Sequence, residues 1–278
     1  MYPLTPITLL NHMNNVSKPV VIKLGGSIFD AQDATLIDLV RLQNEGYKLI
    51  VVHGGAKMIT AWCTGLGIES SFHQGERVTD RKSLEVVTAI LSGLANKETV
   101  AAITRAGGRA VGLSGVDGSL LRARIKDVAL GYIGEIEHVD PQPLTTLLDA
   151  GYMPIVSPVS YHGNASDDTP LLLNVNGDTA AGAIAKAIDA AQLIYLTDID
   201  GIRGSSGKVI NDLGPDEAEE LITTGVASGG MIPKLKSCLV AIEAGITCRI
   251  VDGRRPRALI DAVSGTAAGT TFHPRHSH

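Results

Sequence analysis

Cysteine, positive charge and long apolar runs are all in short supply in this 278-residue chain. Its three cysteines, Cys63, Cys238 and Cys248, stand far apart, and no pair has metal-finger spacing. An odd number of thiols suits a reducing compartment, so buried, inert side chains are expected. The net charge is −5, which argues against a general nucleic-acid binder, whose footprint would be basic. Phosphate ligands stay open, because a few local Lys and Arg suffice for them. No apolar run approaches the ~20 residues of a membrane span. The segment Met1–Lys18 lacks the charged start and apolar core of a secretory signal. A cytoplasmic protein with no membrane partner is the expectation. The terminal Arg275-His276-Ser277-His278 reads as a loose tail rather than a metal site.

Several nucleotide and hydrolase signatures are missing too. There is no G-x-x-x-x-G-K-[ST] phosphate loop and no G-x-G-x-x-G after the first apolar run. A G-x-S-x-G elbow and an H-E-x-x-H zinc helix are also absent. The common α/β enzymes thus lose their usual marks, and a dinucleotide oxidoreductase is a poor fit.

What is present points to a packed α/β chain. Apolar residues make up 44% and charged residues 19%, a balance that can bury a core. Six short runs, 19–24, 48–53, 109–114, 153–157, 193–198 and 246–251, are rich in Val and Ile and bounded by Gly, Pro or Asp. They predict strands covered on both faces. Helical periods lie between them: Leu84, Val87, Leu91 and Leu94 after Asp80, and Leu235, Cys238, Leu239 and Ile242 after Pro233. The alternation predicts a three-layer αβα sandwich with a central, mainly parallel sheet. The stretch 117–143 is less regular and is expected to hold hairpins or a lobe edge. The chain is expected to divide into an extension over 1–18, a first lobe over 19–170 and a second over 171–278.

Candidate chemistry gathers at strand ends, where ligands of open α/β sheets lie. Two strands end in glycine pairs, Gly25-Gly26 after Lys23-Leu24 and Gly54-Gly55 after His53. Such glycines let backbone N–H groups of Gly25, Gly26 and Gly55 approach an anion; the plainer reading is two tight turns. Lys23 ends an apolar run, where lysine is rarely buried without a partner. Lys234 follows Pro233, near a helix N-terminus that favours anions. In the run 174–178, extended backbone would put Asn174, Asn176 and Asp178 on one side. Asp178 also reads as the N-cap of a helix from Thr179. Asp198 and Asp200 suit Mg²⁺ or ordinary turn chemistry equally well, so no metal ligand is assigned. Arg77 could grip a carboxylate with both nitrogens.

The segments VIKLGGS, VVHGGA, RVTDRKSLEVV, GLANK, NVNGDTAAG, LTDIDGI and GGMIPKL, in this order, resemble the amino-acid kinase family. Within it they are most similar to the branch that phosphorylates N-acetyl-L-glutamate. The likeness runs from Val20 to about Phe272. It implies an enzyme that uses ATP with Mg²⁺ held through the phosphates, in arginine biosynthesis. It implies Lys23 and Lys234 as the lysines that stabilise the transition state, with Asp178 organising them. Gly54, Gly55, Arg77 and Asn174 would contact the acetylamino acid, with Asn176 beside them. Thr197, Asp198, Ile199, Asp200, Gly201, Ile202 and Arg203 would line the nucleotide site, with Val226, Ala227, Ser228 and Met231. A homodimer is implied, or a hexamer if Ile7, Leu10 and Met13 form one face of an N-terminal helix, with arginine as an effector. Ala56 stands where the family carries a third glycine, and Glu76 where leucine is common. TDRKSLE is also similar to related aminoadipate-derivative kinases of lysine biosynthesis. An N-acylated or carrier-linked aminoadipate is thus the alternative substrate, and a non-catalytic amino-acid sensor the alternative class.

Overall fold

The computed structural model describes residues 18–25 and 32–274. Gly26, the expected helix around Ile7, Leu10 and Met13, and the tail from Arg275 fall outside the described residues.

Five-residue β1 (Val20–Leu24) lies at the middle of the main sheet. It pairs in parallel with β2 (Leu49–His53) on one side and with β10 (Gln192–Thr197) on the other. All three are almost wholly buried, which explains their unbroken apolar character. Beyond β2 comes the long β8 (Met153–His162), which pairs with β5 (Ala110–Gly115), β6 (Leu121–Ile125) and short β9 (Leu172–Asn174). An antiparallel hairpin of β6 and β7 (Gly134–Val139) ends that side. This is the irregular stretch that reads as hairpin or edge from its sequence. Beyond β10 come β12 (Thr247–Asp252), antiparallel β13 (Gly269–Phe272) and two-residue β11 (Asp212–Leu213). A separate two-residue ribbon, β3 (Phe72–His73) and β4 (Glu76–Arg77), stands over the sheet's C-terminal ends.

Helices cover both faces, as the alternation of strands and helices predicts. Successive side chains of β1 point to opposite faces. Val20, Ile22 and Leu24 pack with α1 (Gln32–Asn44) and with residues of α4 (Asn96–Arg105) and α9 (Ala258–Ser264). Val21 joins the other layer, built on α5 (Gln142–Asp149), α6 (Gly177–Ala187), α7 (Pro215–Thr223) and α8 (Met231–Glu243). Lys23 has the parity of Val21. The sheet therefore aims it at α6 and α8.

A third cluster joins α2 (Ala56–Gly65) to α3 (Arg81–Thr88). Asp80 caps α3 by accepting from the Ser83 N–H at 2.7 Å. Between α3 and α4 the helix widens into a π segment, Ala89–Ala95. The wider turn delays the next inward position by one residue. Leu84, Val87 and Leu91 are buried as their spacing predicts, but Leu94 is exposed and Ala95 is buried in its stead. By length and hydropathy the run Arg81–Arg105 could cross a membrane, which reading apolar runs alone does not reveal. Here its apolar face packs in the core through Val87, Leu91 and Ile103.

Candidate functional site

The C-terminal ends of β1 and β2, the start of α6 and the β3–β4 ribbon enclose a cleft of about 700 Å³. Lys23, Gly54, Gly55, Arg77, Asn174, Asn176 and Asp178 all line it. These residues are scattered over more than half of the chain and converge through the parallel topology.

At the floor, Lys23 and Asp178 form a three-charge cluster with Lys234, which does not itself line the cleft. The Asp178 carboxylate lies in the first turn of α6, with Oδ1 2.7 Å from Lys23 Nζ and Oδ2 2.9 Å from Lys234 Nζ. The Oδ1 contact is an ion pair off the ideal hydrogen-bond direction; Lys234 donates a well-aligned hydrogen bond to Oδ2. Only 11% of each lysine side chain and 8% of the aspartate side chain reach the surface. Burial pushes the Asp178 carboxyl up, but the two ammonium groups outweigh it and hold its pKa at about 2. Burial lowers the Lys23 pKa, attraction to Asp178 opposes this, and the nearby Lys234 charge adds to the lowering. The cluster carries two positive charges and one negative. An approaching anion restores the balance, so the cluster suits an anionic group.

Asp178 is not the helix cap that its sequence context suggests. Asn176 is the N-cap: its Oδ1 accepts from the N–H groups of Asp178 and Thr179 at 2.8 and 3.3 Å. The extended run stops at Asn174, so 174, 176 and 178 do not share one strand face. The cap leaves the Asp178 carboxylate free for the lysines. α8 begins at Met231, two residues earlier than Pro233 suggests, and Lys234 is buried within its first turns.

The opposite wall carries Arg77. Its guanidinium donates to Ser70 Oγ and Thr60 Oγ1, both at 2.5 Å, and to the Ala56 carbonyl at 3.2 Å. It lies over the Phe72 ring at 4.6 Å. Among the described residues no acidic side chain forms an ion pair with it, although Arg77 is buried. The adjacent Glu76 carboxylate pairs with Lys126 at 2.6 Å, so its charge is balanced there. Asn174 Nδ2 donates to Thr79 Oγ1 at 3.0 Å, and Thr79 in turn donates to the Arg77 carbonyl at 2.7 Å. Thr60, Ser70 and Phe72 are support that no motif revealed. Ala56 opens α2 at negative φ, so a glycine is unnecessary there.

Gly25 and Gly54 spend their N–H groups inside the fold. Gly25 donates its N–H to the Leu196 carbonyl at 3.0 Å, and Gly54 to the Leu24 carbonyl at 3.2 Å. Neither N–H remains for an anion, contrary to the expectation for Gly25. A Cβ on Gly55 would meet Leu91 Cδ2 at 2.7 Å. At the tip of the β3–β4 ribbon, Gly75 has φ +83°, and a Cβ there would fall 2.6 Å from the Gly229 backbone. Only glycine lets the ribbon rest on the loop that leads into α8.

His53 precedes the second pair and is fully buried. Its Nδ1 lies 3.0 Å from the Gly54 carbonyl and its Nε2 3.1 Å from Asn96 Nδ2. The carbonyl accepts and the amide donates, so the ring is neutral with its proton on Nδ1. Burial holds its pKa at about 4. A proton on this ring binds the unfolded chain first, so stability rises with pH between the two pKa values. Wild type is expected to lose roughly 3 kcal/mol more than His53→Gln between about pH 6.5 and 4. Urea melts across that range measure the difference, and equal pH slopes would contradict the neutral ring.

Of the expected nucleotide residues, 197–203 follow directly from the C-terminal end of β10. Thr197 Oγ1 accepts from the Ile199 N–H at 3.2 Å and donates towards the Val251 carbonyl at 3.3 Å. Asp198 is exposed and close enough to act on the Lys23 charge. Asp200 pairs with Arg203 at 2.7 Å. Gly201 adopts φ +141°, with Val209 and Thr270 too close for a Cβ. Ile202 is a core side chain; its N–H donates to Thr270 Oγ1 at 2.8 Å and its carbonyl accepts from the Ile210 N–H at 2.8 Å. Both of its backbone polar groups are thus bonded within the fold. Ala227 is buried, while Val226 and Ser228 are exposed and Met231 half-buried. A second hollow of about 730 Å³, lined by Gly204, Ile210, Leu213, Leu221 and Val226, adjoins this segment. Ser205, Glu217, Glu220 and Thr224 complete its lining, so the hollow is of mixed polarity.

The three thiols are reduced and buried, as their spacing predicts.

The family model described as the amino acid kinase family matches residues 18–252, and the chain belongs to that family. It is 45% identical over 258 residues to an acetylglutamate kinase of Dehalococcoides mccartyi, covering 92% of this chain and 95% of that one. It is 43% identical over 256 residues to an acetylglutamate kinase of Cereibacter sphaeroides, covering 90% and 86%. Among solved structures, smu.665 from Streptococcus mutans superposes with a TM-score of 0.80 at 25% identity, covering 92% of this chain and 98% of that one.

Proposed function

We propose that this chain transfers the γ-phosphoryl group of MgATP to the side-chain carboxylate of N-acetyl-L-glutamate, giving N-acetyl-L-glutamyl 5-phosphate and ADP in arginine biosynthesis. The observation that carries the reading is the Asp178 carboxylate holding two ammonium groups at 2.7 and 2.9 Å on the floor of a cleft, across from an arginine with no acidic partner among the described residues. The names of its relatives in two bacterial groups support the same reaction.

The acceptor carboxylate is already ionised at neutral pH, so no general base is needed. Its oxygen attacks the γ-phosphorus in line. A new O–P bond forms, the bond to the β–γ bridging oxygen breaks, and the electron pair leaves with ADP. The obstacle is the approach of two anions, so positioning and charge supply the catalysis. Lys23 faces the transferring phosphoryl group, and Lys234 the bridging and leaving oxygens. Asp178 keeps both ammonium groups at fixed points. Arg77 grips the α-carboxylate, with Gly54, Gly55 and Asn174 beside it. Asn176 acts through its cap on α6. Mg²⁺ arrives with the phosphates.

Residues 19–170 supply the acylated amino-acid half and 171–278 the nucleotide half, with the adenine in the hollow beside Val226. The working form is a cytoplasmic homodimer, or a hexamer with arginine as its effector. Methylene count separates the aminoadipate alternative by only about 1–3 kcal/mol, so kcat/KM must be compared on both acids.

The test is trapping of the acyl phosphate with hydroxylamine. N-acetylglutamate with MgATP is expected to give hydroxamate, and free glutamate far less. No hydroxamate from any N-acylated acid would remove the kinase reading and leave a sensor. In the same assay Arg77→Ala is expected to raise KM for the acid roughly 10–100-fold, as loss of a charge-assisted carboxylate grip costs. An unchanged KM would move the α-carboxylate elsewhere.

A further inference from the structure

The Asp178–Lys234 contact joins two helices, so its length depends on how α6 and α8 cross. Asp178 and Gly182 are one turn apart on α6; Lys234 and Ser237 are one turn apart on α8. The helices touch at the second member of each pair. A Cβ on Gly182 would lie 2.1 Å from Ser237 Oγ, so that glycine makes room for the hydroxyl. Ser237 Oγ donates to the Asp178 carbonyl at 2.6 Å, tying α8 to the turn that carries the carboxylate.

Behind them stands Tyr195 on β10, in register with Lys23 on β1. Its hydroxyl lies 2.5 Å from Ser237 Oγ and 3.2 Å from the Asp178 carbonyl. Because Ser237 gives its proton to that carbonyl, the 2.5 Å contact takes the tyrosine proton. The Tyr195 ring lies 4.8 Å below Lys234 Nζ, within reach of a cation–π attraction. Tyr195 and Ser237 are both buried, in a layer built mainly of Val, Leu, Ile and Ala with Cys238, Cys248 and Phe272. Hydroxyls in such a layer are costly unless bonded. Packing alone is served by apolar side chains.

We propose that Tyr195 and Ser237, given room by Gly182, are positioning residues that fix the Asp178 carboxylate and thereby the spacing of Lys23 and Lys234. The proposal rests on the kinase reading above. The carboxylate and the carbonyl of Asp178 belong to one residue: the two lysines hold the first, and Ser237, itself bonded by the Tyr195 hydroxyl, holds the second. Losing the hydroxyls lets the first turn of α6 shift and the ammonium groups spread.

Tyr195→Phe keeps the ring and removes only the hydroxyl; Ser237→Ala removes the other. Each is expected to lower kcat about tenfold, equivalent to about 1.4 kcal/mol, with KM for both substrates within about twofold. The double variant is expected to match the singles, since one network is lost in either case. A fall in melting temperature with kcat held within about twofold would overturn the proposal, for it would make the hydroxyls merely structural. A second measurement needs no turnover: NMR titration of the lysine Cε resonances, expected to shift in both variants. Should wild type make no acyl phosphate, the kinase reading falls and this titration decides alone; unchanged curves in both variants would overturn the positioning role.

Discussion

An Asp178→Ala variant is expected to lose about 3–5 kcal/mol of stability, the range for removing one member of a buried charge cluster, and nearly all activity. Both lysines lean on this one carboxylate, and each has only 11% of its side chain exposed. Without it two like charges face each other in a poorly solvated site. Their repulsion and burial both favour loss of a proton from Lys23, whose pKa is already lowered. Asp178→Asn keeps the shape and should be the milder variant in urea melts but equally poor in turnover. A melt midpoint for Asp178→Ala equal to that of wild type would show that the ammonium groups do not depend on Asp178.

Lys234→Ala is expected to lower kcat by roughly 10²–10³, by analogy with removal of one oxyanion donor. One charge pair at about 4 Å is worth about 4 kcal/mol at an effective dielectric near 20, which is the right order for that loss. KM should change much less, because the interaction grows as the bridging oxygen takes up charge. Arginine should not rescue the site. Its planar fork is wider than an ammonium, and Tyr195 lies 4.8 Å beneath Nζ. Stopped assays with unaltered circular dichroism give the comparison. Near-normal turnover of Lys234→Ala would take this residue out of the chemistry.

The central strands were legible because a strand buried on both faces leaves an unbroken run of Val, Ile and Leu. The observed strands 20–24, 49–53, 192–197 and 247–252 lie within a residue or two of those runs. Edge elements were not legible. β9 has three residues and β11 two, too short for any period to show. β8 runs five residues past its apolar core pattern, through Pro158 and Ser160, because it carries β6 and β9 on its outer part. Leu94 misled because helical spacing assumes a constant turn and the π segment breaks it. Lys23, Asp178 and Lys234 could be singled out as charges at apolar or helix-start positions, and geometry brings them together. Thr60, Ser70, Tyr195 and Ser237 carry no such mark. Each is an ordinary residue type whose meaning comes from what folds against it.

β1 has a consequence for any attempt to take this molecule apart. The strand bearing Lys23 is flanked on one side by β2 and on the other by β10, so residues 19–170 and 171–278 are sewn along a single thread. Cutting the chain after residue 170 would strip β10 from β1 and bare a row of apolar residues with unpaired backbone groups. Such an edge recruits other strands. The first half made alone should therefore clump, and the same seam sets Lys23 against Asp178 from the other half.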